Sequence, residues 1–142
     1  MSGVRIEGTY RGELRMEARH GPSAATLVTD APADNHGRGA SFSPTDLVAT
    51  ALGTCIVTTM AIVAERHGID LRGVRFETTK EMAADPHRRI ARLPTTIHMP
   101  ATLDDTERLL LERAAKGCPV HRSLAEALDA PVTFVYGDEA TP

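Results

Sequence analysis

Apolar and polar residues alternate along the first part of the chain. Val4, Ile6, Tyr10, Leu14, Met16 and Ala18 fall on one side of an extended backbone, and Arg11, Glu13, Arg15, Glu17 and Arg19 fall on the other. This period of two predicts a half-buried strand pair that turns near Gly12. Ala25 to Thr29 reads as a third strand. Pro32, Asn35, Gly37 and Gly39 make residues 30–42 a loop. Ser43-Pro44-Thr45-Asp46 then supplies a capping hydroxyl, a proline at the first helical position and a carboxylate at the third. A helix is expected from there to about His67, stopped by Gly68.

The pattern returns to a period of two after this helix. Val74, Phe76 and Thr78 alternate with Arg75, Glu77 and Thr79. A further strand is expected over about Ile90 to Met99, after a loop holding Asp85-Pro86. Pro94 predicts that this strand lies at an edge or carries a bulge, because proline cannot donate to a sheet ladder. Thr102 to Asp105 is a second capping signature and opens a helix to Lys116, ended by Gly117. Pro119 opens another helix, with Val120, Ser123, Leu124, Ala127 and Leu128 on one face. Val132 to Tyr136 reads as the last strand. The elements together predict an α+β fold.

The segment LVATALGTCIVTTMAIVA, residues 47–64, holds no charged residue. As a helix it would span about 27 Å at about 1.5 Å per residue. That is near the lower limit for crossing a membrane. Four threonines, Gly53 and the amphipathic flanks argue instead for a helix buried on all sides. A sheet covers one face of a helix, so the rest needs another cover. A homodimer with these helices at its centre follows as an expectation from packing alone.

Composition narrows the partners. The chain has 142 residues, which suits one compact domain over 1–142, and aromatics are only 4%, so the core must be aliphatic. Net charge is -3 and no basic stripe is present, so nucleic acid is not expected. The first ten residues carry no apolar run of a secretory signal, and a cytoplasmic location is expected. In that compartment the two cysteines are not expected to form a permanent disulfide.

Cys55 lies inside the uncharged helix, where a free cysteine usually serves as a small hydrophobe and burial raises its pKa. Cys118 lies between Gly117 and Pro119 at a helix start, where free amides stabilise a thiolate. Cys118 and His121 resemble half of a zinc site, but no second Cys-x-x-Cys or Cys-x-x-His completes it. His20, His36, His67, His87 and His98 are read as surface residues, and His121 as solvated on the polar side of its helix. Two thiols from separate helices also suit peroxide reduction. One forms a sulfenic acid, and the second condenses with it.

The stretch FSPTDLVATALGTC, Phe42 to Cys55, with Cys118-Pro119 opening a late helix and the lead-in TDAPADNHGRGA, resembles the OsmC/Ohr family. That family comprises osmotically inducible and organic hydroperoxide resistance proteins, and the order of elements is similar along essentially the whole chain. The resemblance implies an intertwined homodimer with long central apolar helices wrapped by antiparallel sheets. It implies a peroxidase for organic hydroperoxides, needing no cofactor or metal and reduced by a dithiol such as a lipoylated protein. Cys55 falls on the peroxidatic position and Cys118 on the resolving one. The family's activating glutamate after the helix-opening proline is replaced by Thr45, and the nearest acid is Asp46. Its arginine partner is assigned to Arg15, with Arg11, Arg19 and Arg38 as other candidates. A non-catalytic ligand-binding or redox-sensing protein of the same fold is the alternative.

Overall fold

The computed structural model describes residues 2–137. They form two compact units that divide at Val48/Ala49, inside the first helix.

The first unit is an antiparallel three-stranded sheet, ordered β1 (Ile6–Gly12), β2 (Arg15–His20) and β3 (Thr26–Asp30). Tyr10 faces Met16 across the hairpin, and Met16 faces Thr29 across the second ladder. Glu13 and Leu14 both take positive φ, 54° and 63°, so the reversal falls one residue later than expected from Gly12. Two successive left-handed residues match the twist that a tight hairpin demands. Leu14 therefore belongs to the turn, not to the strand's apolar side. The expected half-burial also fails on β1, whose residues Ile6 to Arg11 are exposed on both faces within the chain. The loop before the helix contains a short 3-10 turn, Ala33–Asn35.

Helix α1 (Pro44–Arg66) starts and stops where its caps predict. The Asp46 amide donates to Ser43 Oγ at 3.1 Å, and the Ser43 amide donates to Asp46 Oδ2 at 2.9 Å. This reciprocal pair satisfies two of the orphan donors of a helix start. At the other end Gly68 adopts φ 66°, and the Ile69 amide closes back to the Ala64 carbonyl at 2.9 Å. Leu52, Ile56, Met60 and Ala64 recur every four residues and make its buried stripe. The helix is long and apolar enough to cross a membrane, and 33% of its apolar window is buried within the chain.

The second unit holds the rest of α1 and a mixed sheet ordered β4 (Arg75–Thr78), β7 (Thr95–Met99) and β8 (Val132–Tyr136). β7 runs antiparallel to β4 and parallel to β8. A separate hairpin pairs β5 (Glu81–Ala83) with β6 (Arg89–Arg92) around a cis Asp85-Pro86 bond. The single strand expected over Ile90 to Met99 is thus two strands, broken at Leu93-Pro94. Pro94 neither marks an edge nor sits in a bulge. It lies outside both ladders, and β7 occupies the sheet centre.

Helix α2 (Asp105–Ala115) carries a full capping box between Asp104 and Glu107. Helix α3 (Pro119–Leu124) is shorter than its apolar face predicts. Its continuation is overridden at Asp129. The Asp129 carbonyl accepts from the Leu93 amide at 2.8 Å and its carboxylate from Arg92 Nε at 2.8 Å, which draws the chain into the edge of the sheet.

Candidate functional site

Cys55 is half-buried in the middle of α1. Two residues earlier, Gly53 faces the ring of Phe76 on β4. A Cβ at Gly53 would lie 2.1 Å from Phe76 Cδ2, so only glycine lets strand and helix meet this closely. One turn after Cys55, the Thr59 hydroxyl lies 3.8 Å from the Cys55 sulfur.

Cys118 reaches the same place from the corner between α2 and α3. The last turn of α2 tightens as Gly117 and Cys118 donate their amides to Ala114 and Ala115 carbonyls at 2.9 and 3.1 Å. Pro119 then occupies the first position of α3, and Cys118 is its N-cap, accepting the His121 amide at 3.4 Å through sulfur. Gly117 brings this corner against α1, where its Cβ position would be 4.0 Å from Thr59 Cγ2. Cys118 is completely buried, and it lies near enough to Cys55 for the two thiols to shift one another's pKa.

The two sulfurs respond in opposite directions. Burial pushes the Cys55 thiol up, but donors from the Cys118 thiol, the Val120 amide and the Thr59 hydroxyl outweigh it and hold the group below its ordinary value. Burial raises Cys118, and donating to Cys55 raises it further, against the help of the His121 and Val120 amides. A hydrogen bond to the charged form favours ionisation, and giving up the proton that makes that bond is disfavoured. The pair therefore ionises first as a Cys55 thiolate facing a Cys118 thiol. The sequence placed the thiolate-favouring setting at Cys118 and the inert one at Cys55. The structure reverses this, because complete burial of Cys118 outweighs its amides while Cys55 collects three donors.

The other candidates have the following local partners. Asp46 closes the α1 cap. Arg15 is half-buried on β2 and makes no ion pair among the described residues. Arg11 pairs with Glu17 at 2.9 Å, and Arg38 lies 3.9 Å from Glu13. Every group that lowers Cys55 belongs to the second unit and is uncharged. His98 is not a surface residue: it sits on the central strand β7 with 12% of its side chain exposed, and its Nε2 lies 3.3 Å from Glu77 Oε1. His121 is not solvated either. Its Nε2 bonds the Ala130 carbonyl at 2.8 Å. No cluster of three His, Cys, Asp or Glu side chains able to hold a metal occurs among the described residues.

Thr59 and the Val120 amide were missed as functional groups. Thr59 was readable, since residues four apart share a helix face. The amide was implicit in Cys118-Pro119, because proline at the first position leaves the next amides as the free donors of the turn.

Comparison with known proteins identifies the fold and the family. The chain is 39% identical to a solved Psychrobacter arcticus protein named for osmotic stress induction and a detoxification response, with 95% of this chain and 98% of that chain covered and a TM-score of 0.86. A Legionella pneumophila organic hydroperoxide resistance protein shares the fold at 19% identity, covering 94% of this chain and 97% of that chain, with a TM-score of 0.71. A Vibrio cholerae protein named for organic hydroperoxide resistance, with captopril in one of its active sites, shares it at 17% identity and a TM-score of 0.72, covering 94% and 93%. No curated protein matches the chain. The OsmC-like protein family model matches residues 36–132, a span that includes both cysteines. The chain belongs to the OsmC-like protein family.

Proposed function

We propose that the chain is a two-cysteine peroxidase that reduces organic hydroperoxides. The observation that carries this reading is the meeting of two thiols from separate helices that act on one another, with the Cys55 pKa lowered and the Cys118 pKa raised. The Cys55 thiolate attacks the outer peroxide oxygen and the O–O bond breaks. Cys55 becomes a sulfenic acid, and the alkoxide leaves to be protonated to an alcohol. The Cys118 thiol then condenses with the sulfenic acid, forming the Cys55–Cys118 disulfide and releasing water. A dithiol reductant, such as a lipoylated protein, returns both cysteines to thiols and leaves as its own disulfide. The opposite pKa shifts of the two neighbouring thiols support this order, with Cys55 the attacking group and Cys118 the resolving one.

The working unit of this reading is a homodimer in the cytoplasm. Its support is the apolar face of α1 left uncovered within one chain, where Ile62 is 51% exposed. Burying such surface is favourable by about 25 cal/mol per Å².

The test is the non-reducing mass of the protein after one equivalent of cumene hydroperoxide. Loss of two hydrogens, absent in Cys55→Ser, is expected. Two unchanged thiols would overturn the catalytic reading and favour a protein that binds or senses without turnover. The neutral character of the groups around Cys55 favours that second reading, since thiolates of fast peroxidases need strong stabilisation.

A further inference from the structure

Leu109, Glu112 and Arg113 on α2 and Lys116 at its C-cap recur at the spacing of one helix face. Val132 and Phe134, two apart on β8, present one face of that strand toward them. Between the two faces lies a cavity of about 510 Å³, with His121 at its α3 end. This is within the ~300–1,000 Å³ that small-molecule sites occupy. Neither cysteine lines it.

The charges in this cavity are unequal in freedom. Glu112 Oε2 accepts the Tyr136 hydroxyl at 2.5 Å, and the Arg108 guanidinium stacks 4.1 Å from the Tyr136 ring centre. Arg113 and Lys116 are exposed and make no ion pair among the described residues. Offsetting the α2 dipole would occupy both cations without any cavity. The Lys116 carbonyl at that helix end is already covered by Arg122 Nε at 3.3 Å. Two uncommitted cations over an apolar floor complement a ligand with a negative head and a hydrocarbon tail.

We propose that the α2–α3–β8 cavity is a second binding site, taking an amphipathic organic anion with a carboxylate at Arg113 and Lys116 and an alkyl chain along Leu109, Val132 and Phe134. The proposal does not rest on peroxidase activity. It does meet the thiol pair through one residue, because His121 lines the cavity and its amide donates to the Cys118 sulfur at 3.4 Å.

The experiment is titration of the full chain with decanoate, below its micelle concentration, by calorimetry and amide NMR. Saturable binding of one decanoate per chain is expected, with shifts at Lys116, His121 and Phe134. Arg113→Glu with Lys116→Glu should weaken it at least tenfold, as should exchange of decanoate for decanol. Leu109→Glu, at a position 52% exposed, should weaken it as well by charging the apolar wall. Cys55→Ser should bind as the native protein does. Equal affinity for decanol, unchanged affinity in the charge reversals, or no saturable binding would each overturn the proposal.

Discussion

The Thr59 hydroxyl stands 3.8 Å from the Cys55 sulfur, one turn further along α1. Both residues sit on a helix with no charge near them in sequence, so this hydroxyl is one of few local donors that can hold a thiolate there. Thr59→Val keeps the shape and removes the donor. Cys55 should then titrate at higher pH, and its alkylation by iodoacetamide at pH 7 should slow several-fold. Thr59→Ser should stay near native. An unchanged rate in the valine variant would show that the hydroxyl does not serve the sulfur.

The Cys118 thiol should contribute more than Thr59, since its hydrogen bond leads among the groups that lower Cys55. Alkylation follows the thiolate fraction, which is lost as pH falls through the Cys55 pKa. Cys118→Ala removes a donor to that thiolate, so the inflection should move to higher pH. Each unit of movement slows alkylation at fixed pH about tenfold, equivalent to ~1.4 kcal/mol. Cys118→Ser retains a donor and should restore part of the shift. Coincident profiles for the two variants would exclude the hydrogen bond as the cause.

Gly53→Ala should destabilise the protein although alanine is the better helix former. Its Cβ would meet the Phe76 ring 2.1 Å from Cδ2, and either helix or strand must move. Overpacking of this kind costs about 1–3 kcal/mol. Urea denaturation should show the loss, and adding Phe76→Leu should recover part of it. A gain in stability would mean that the strand yields freely.

The uncovered side of α1 predicts self-association. Light scattering should give about twice the chain mass of 15.3 kDa at micromolar concentration. Ile62→Glu, at a position 51% exposed within one chain, should lower that mass toward one chain. A native mass of one chain would remove the dimer from the proposed function.

Both ends of α1 were legible because caps are local chemistry. Ser43, Pro44 and Asp46 act within one turn, and Gly68 supplies a left-handed residue that few others accept. β8 was legible because Val132 to Tyr136 is a short apolar run between breakers. The length of α3 was not, because its termination depends on Asp129 bonding to Leu93 and Arg92, far away in the chain. The split of Ile90 to Met99 was missed in part because proline announces an interruption without saying whether a bulge or a break results. Arg15 and Asp46 illustrate a further limit. Their types suit thiol activation, yet Asp46 is engaged in the helix cap, and no cation is among the groups that set Cys55.

From residue order alone came two candidate cysteines, the helices that carry them, and the apolar character of the longer one. Those follow from near-neighbour periodicity and capping, which operate over a few residues. Why Cys55, the sulfur that the family resemblance puts at the peroxidatic position, is the one with the lowered pKa became visible only in the fold. Protonation depends on burial and on donors gathered from α1 and from the α2–α3 corner, far apart in sequence, and no local pattern encodes that meeting.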